Sequence, residues 1–163
     1  LLRGHSLQLS LTTDVIVGYP GETEAEFEET VALLEEMRFD GAFVFTYSPR
    51  PGTTALRLAD DVAEDEKLRR LQVLNVLQQR LQGERNRGRV GQRVDVLVDE
   101  AETPDRLSGR TPDFRIVHLA GPLSLFGHVV KVEITDSRPN SLSGRLIAPP
   151  TDSLTESSAL PIL

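Results

Sequence analysis

The sequence predicts an α/β segment followed by an all-β one. Two apolar, β-branched runs, at residues 11–18 and 42–47, flank a helical pattern of Phe27, Val31, Leu34 and Met37. Strand, helix and strand in that order make a βαβ unit, with parallel strands and a right-handed crossover. From Val90 onward the apolar period falls to two, and short runs are punctuated by Gly109, Gly121, Gly127 and Gly144. Short strands at such close spacing predict a small antiparallel barrel of the OB type.

The first strand ends in Val15-Ile16-Val17-Gly18, and Tyr19-Pro20-Gly21-Glu22-Thr23 then turns into the helix. Thr23 with Glu26 fits a capping box, in which each side chain satisfies an orphan amide of the first turn. Acidic residues crowd that turn, as the helix dipole favours. Phe39-Asp40-Gly41 is expected to end the helix. Two parallel strands cannot build a sheet with its own core, so the rest of this sheet is expected upstream of the chain. Residues 48–61 read as a Pro/Gly-containing connection. A long helix is expected over 63–87, with Leu68, Leu71, Leu74, Leu77 and Leu81 along one side and a weak end at Gly83 and Gly88.

In the barrel, Val94, Val96 and Val98 alternate with polar residues, and further strands are expected at 107–111, 114–119, 129–135 and 142–147. An internal echo lies there: Leu107-Ser108-Gly109-Arg110 and Leu142-Ser143-Gly144-Arg145. Residues 149–163 form a Ser/Thr/Pro-rich tail expected to be disordered. The expected division is therefore 1–86, 87–148 and 149–163.

Composition excludes several classes. There is no cysteine, which rules out disulfides and thiolate binding of zinc or an iron–sulfur cluster by this chain's own residues. His5, His118 and His128 are too scattered to suggest a metal site. No apolar run approaches the roughly 18 residues a membrane span needs. A soluble, cytoplasmic monomer is expected, with no membrane partner. The chain opens on Leu rather than Met and reads as a piece of a longer one. The net charge is −7, unevenly spread. Residues 1–60 hold 4 basic and 10 acidic side chains, a balance of −6, whereas residues 66–94 hold 8 basic and 2 acidic, a balance of +6. From charge alone, that basic stripe reads as a solvated helix face ahead of a phosphate-binding surface.

Three segments could carry chemistry. The glycine-rich turn at 18–23 lies at the carboxyl end of a parallel strand, where α/β proteins take small ligands. The segment Tyr47-Ser48-Pro49-Arg50-Pro51-Gly52-Thr53 should emerge at the same sheet edge, with Arg50 held stiffly between prolines. The barrel could bind RNA on a positive face. Phe114 and Phe126 could stack on bases there, but exposed function is the less common fate of such residues, and the core is expected.

In this order, these segments resemble the MiaB-type methylthiotransferases. That family's Asp-x-Ile-Val-Gly-Phe-Pro-Gly-Glu-Thr block is matched by Asp14–Thr23, with Tyr19 for Phe, and its Tyr-Ser-x-Arg-Pro-Gly-Thr block by Tyr47–Thr53. A Leu/Arg-rich helix and an RNA-binding TRAM barrel follow. Leu107–Thr111 and Pro139–Gly144 match the branch that acts on tRNA. The resemblance implies the C-terminal part of a radical-SAM partial (β/α) barrel joined to an OB-like TRAM barrel. It further implies an enzyme that adds a methylthio group to isopentenyladenosine beside the anticodon of tRNA, using S-adenosylmethionine and 4Fe-4S clusters. By resemblance, Ile16, Gly18, Glu22 and Tyr47 are candidate S-adenosylmethionine contacts, and Arg50, Arg110 and Arg145 candidate tRNA contacts. The family's cluster cysteines would lie upstream, so this chain alone is expected to be inactive. Two other readings stay open: a non-catalytic RNA-binding remnant, and a methylthiotransferase for another modified adenosine or a ribosomal protein. The Arg50–Thr53 form argues against the last.

Overall fold

Alternation along two strands decides which face of the first sheet is covered. Strand β1 (Thr12–Val17) and strand β2 (Gly41–Thr46) pair in parallel, with Asp14 opposite Phe43 and Ile16 opposite Phe45. Between them runs helix α1 (Glu24–Met37), and a long helix α2 (Glu64–Arg87) follows. The computed structural model describes residues 10–148, which form two compact units that meet in sequence at Arg85 and Asn86. The expected disordered tail and the first residues of the chain lie outside the described residues.

The first unit packs Val17, Phe27, Leu34, Leu74, Leu77 and Leu81 together, with Val15, Val31, Ala42, Val44 and Leu71 against them. Every strand residue in this set sits on the helix-covered face. The other face carries Ile16, Phe43 and Phe45, which are 57%, 60% and 54% exposed. Only β1 and β2 form this sheet among the described residues.

Helix α1 opens as its sequence predicts. The Glu26 amide donates to Thr23 Oγ1 at 3.3 Å, and the Thr23 amide donates to Glu26 Oε2 at 2.8 Å. Its end differs from expectation. Arg38 caps it in the left-handed region (φ 48°), its amide donating to the Leu34 carbonyl, and Gly41 already begins β2. Met37 is exposed rather than packed.

Helix α2 also departs from the leucine-stripe expectation, since Leu68 is exposed. Its buried side chains include Lys67, Arg70, Leu74, Leu77 and Leu81, spaced by three and four, with Gln78 beside Leu77. Lys67 and Arg70 hold the two N-terminal places of that face. Buried cations persist there because carboxylates meet them: Lys67 Nζ lies 2.8 Å from Asp60, and Arg70 lies 2.7 Å from both Glu22 and Glu66.

The second unit is a closed barrel of β3 (Arg93–Thr103), β4 (Arg106–Arg110), β5 (Ile116–Ala120), β6 (Val129–Ser137) and β7 (Leu142–Ala148). Around the barrel the order is β3-β4-β5-β7-β6. The expected all-antiparallel pairing needs correction, because β5 and β7 run parallel, with His118 opposite Ser143. With five strands, closure in this order forces the third and fifth to lie side by side in the same direction. The core is Val96, Val98, Leu107, Val117, Leu119, Leu125, Val130, Val132, Ile134 and Leu142.

The internal echo does the same work twice. In each copy the Leu is buried (Leu107 and Leu142, both 1% exposed) and the Arg points outward. The Gly lets a neighbouring strand come close. A Cβ on Gly109 would strike the Leu97 carbonyl, and one on Gly144 would strike Val132 Cγ1.

Candidate functional site

The two loops expected at one sheet edge do meet. The Tyr47 amide donates to the Val17 carbonyl at 2.8 Å, and the Tyr19 and Tyr47 rings stand edge to face, 5.4 Å between centroids. Lys67 Nζ lies 5.7 Å from the Tyr47 ring centre, a cation–π contact.

The individual candidates have different surroundings. Ile16 lies on the uncovered face with Phe43 and Phe45. Gly18 is buried at φ 72°, and a Cβ there would overlap the Lys67 side chain. Its missing side chain therefore makes room for Lys67. Glu22, with a side chain only 13% exposed, accepts from the Gly18 amide at 2.5 Å and from Arg70 at 2.7 Å. One job closes the turn and the other ties it to α2. A shallow depression beside it is lined by Gly21, Thr23, Asp61, Ala63, Glu66 and Arg70. Its Gly21 amide is satisfied by Asp61 at 2.7 Å, and Arg70 by Glu66.

The basic stripe is largely neutralised within the fold. Arg69 pairs with Glu24 and Glu66, Arg80 with Glu35 and Glu84, and Arg85 with Asp40, while Arg38, outside the stripe, shares Glu84. Arg69 first, then Arg70, hold the Glu66 carboxyl well below its ordinary value, at about 2. The helical part of the stripe is thus held in ion pairs within the first unit, and Lys67 and Arg70 are buried rather than solvated.

Arg50 is exposed on its proline-flanked loop, and its guanidinium meets no carboxylate among the described residues. On the barrel, Arg110 and Arg145 are 50% and 71% exposed, and each spans to a carboxylate on the next strand: Asp99 and Glu133, both at 2.9 Å. Phe114 and Phe126 correct the expectation of a core role. They are 78% and 52% exposed.

Sequence reasoning missed Phe43 and Phe45 as surface residues. The signal was present: residues 42–45 are apolar at every position, so both faces of that strand are apolar.

The cofactors implied by the resemblance divide on fit. The uncovered face of Ile16, Phe43 and Phe45 is apolar and exposed, which is compatible in chemistry with a flat aromatic ligand ring. An iron–sulfur cluster does not fit these residues. The sequence holds no cysteine, and no group of three or more His, Asp or Glu among the described residues is placed to hold a metal. No helix among them is long and apolar enough to cross a membrane.

A five-stranded closed barrel with this strand order, joined to a βαβ unit, defines a chain that carries an OB-like barrel fold. Residues 87–147 match the model of the TRAM domain, and the barrel belongs to that family. The chain as a whole is similar to the tRNA-2-methylthio-N(6)-dimethylallyladenosine synthase of Bacillus cereus (strain AH187), at 46% identity over 144 residues. That match covers 87% of this chain and 28% of the relative. The Bacillus anthracis protein of the same name is 45% identical over the same shares, and that of Magnetococcus marinus is 46% identical over 85% of this chain and 32% of its own. The resemblance to MiaB-type tRNA methylthiotransferases is thus shown. The chain spans about 28% of the length of the first of these relatives.

Proposed function

We propose that this chain forms the tRNA-gripping and cofactor-flanking portion of a tRNA methylthiotransferase. The reaction adds a methylthio group to isopentenyladenosine beside the anticodon. S-adenosylmethionine and 4Fe-4S clusters supply the radical chemistry in such an enzyme, with cluster ligands from outside this sequence. The observation that carries the reading is the joint presence of two features in one chain: an apolar sheet face left bare at Ile16, Phe43 and Phe45, and a TRAM barrel with outward arginines.

In this reading Ile16 and Tyr47 border the adenine of S-adenosylmethionine. Gly18 and Glu22 hold the shape of the turn beside it rather than touching it. Arg50, Arg110 and Arg145 meet tRNA phosphates, with Arg110 and Arg145 exchanging Asp99 and Glu133 for the nucleic acid. The place of action is the cytoplasm and the chain works as a monomer. By itself it binds tRNA and does not cleave S-adenosylmethionine.

The test is tRNA binding by the full chain at about 50 and 200 mM salt, where phosphate-dominated contacts weaken steeply. Weak or salt-indifferent binding would remove the RNA half of the reading. Iron content and S-adenosylmethionine cleavage, measured on the same chain, separate it from a complete enzyme; both are expected to be absent. Arg50 on its stiff loop favours the tRNA reading over a ribosomal-protein substrate, because it adds an unpaired cation outside the barrel.

A further inference from the structure

We infer that Phe114 is a stacking finger for an unpaired RNA base, held ready by the turn that carries it; this rests on the tRNA-binding reading above. Phe114 sits at φ 63°, in the left-handed region that bulky side chains rarely adopt. It is also 78% exposed, so burial does not offset that strain. An exposed, strained aromatic residue gains nothing from the folded chain alone. Such outliers persist where the surroundings over-determine the backbone, and they concentrate at binding sites.

The surroundings do over-determine it. The Phe114 amide donates to the Thr111 carbonyl at 2.8 Å, and the Arg115 amide donates to Thr111 Oγ1 at 3.0 Å. Thr111 Oγ1 donates to Asp113 at 2.7 Å, and Asp113 also pairs with Arg115 (3.2 Å) and Arg89. Arg115 donates onward to Asn86 Oδ1 at 2.6 Å, and Asn86 Nδ2 donates to the carbonyls of Arg138 and Pro139 at 2.8 and 2.9 Å. Asn86, Thr111 and Arg115 are buried, so these are bonds shielded from water. One network therefore fixes the β4–β5 turn and ties it to the β6–β7 turn.

The β6–β7 turn is the loop between the fourth and fifth barrel strands, one of the loops with which OB-like barrels take oligonucleotides, and the network holds the Phe114 turn to it. Arg87 and Arg138, the chain neighbours of the network, are exposed and have no carboxylate partner among the described residues. A rigid exposed ring next to unpaired guanidiniums is the chemistry that grips single-stranded nucleic acid: the ring takes a base face, the cations take phosphates.

The full chain is titrated with unmodified tRNA and with a fluorescein-labelled octamer of adenosines, as wild type, Phe114→Leu and Phe114→Asn. Both variants should bind the octamer about 5- to 150-fold more weakly, with an unchanged salt slope. Arg138→Ala should instead flatten the salt slope by about one phosphate contact. Phe114→Asn should melt at a higher temperature than wild type, since Asn tolerates the left-handed region. Equal octamer affinity for all three proteins, with wild type still binding tRNA, overturns the finger and leaves the tRNA reading standing. A lowered melting temperature for Phe114→Asn also counts against it, because the ring would then be supporting the fold. Wild type that binds neither RNA overturns both.

Discussion

The Gly18 amide donates to the Glu22 carboxylate at 2.5 Å, and Arg70 reaches the same carboxylate oxygen from α2 at 2.7 Å. One side chain thereby fixes a left-handed turn and neutralises a buried cation. Glu22→Ala should cost roughly 2 kcal/mol of the first unit's stability, the range for a lost hydrogen bond to a charged group. Arg70 keeps Glu66, which limits the loss. Urea unfolding followed by circular dichroism measures it, and a change below a few tenths would contradict the shared role.

Gly18→Ala tests the same turn sterically. The residue lies at φ 72°, and its Cβ would overlap the stem of Lys67, whose side chain is only 4% exposed and tied to Asp60. Left-handed strain and overpacking add, so the loss should be about 2–3 kcal/mol. Gly21→Ala, at φ 85° with open space around it, should lose less. If the two variants melt together, the Lys67 contact contributes nothing.

Acid should unfold the chain through depressed carboxylates. Arg69 and then Arg70 hold Glu66 at about 2, against an ordinary 4.5. Glu84 and Glu133 are lowered in the same sense, chiefly by Arg38 and Arg145. A group whose folded pKa is depressed stabilises above its unfolded value and loses that contribution as pH falls through the folded one. Melting temperature should therefore hold level down to about pH 4.5 and then fall toward pH 2. Glu66→Gln should show a shallower fall across that window. Identical acid limbs for the two proteins would exclude Glu66 as a source.

Arg145 offers a gain-of-affinity test. It is bound to Glu133 at 2.9 Å while remaining 71% exposed. If it turns to tRNA phosphates, the carboxylate competes with the nucleic acid. Glu133→Gln should then tighten tRNA binding severalfold at low salt, and Arg145→Ala should weaken it by about one phosphate contact. Unchanged affinity in both variants would take Arg145 off the interface.

Much of this was legible in the sequence because it is local. The Thr23–Glu26 capping box, the βαβ order and the five barrel strands follow from patterns spanning a few residues. Where expectation failed, long-range partners decided. Leu68 yields the buried face of α2 because Asp60 and Glu22 let Lys67 and Arg70 occupy it. Arg38 ends α1 three residues ahead of Gly41. Phe114 is outside the barrel because a polar network reaching from Asn86 to Asp113 fixes its turn.

The sequence by itself determined the kinds of elements, their order and the absence of any thiolate ligand, since propensity, period and composition are properties of short stretches. Only the tertiary structure decided which faces stay bare and which charges are spent. A parallel β5–β7 pair, a cation under a glycine and an aromatic ring turned outward all depend on residues far apart in the chain, and no local pattern encodes where those will meet.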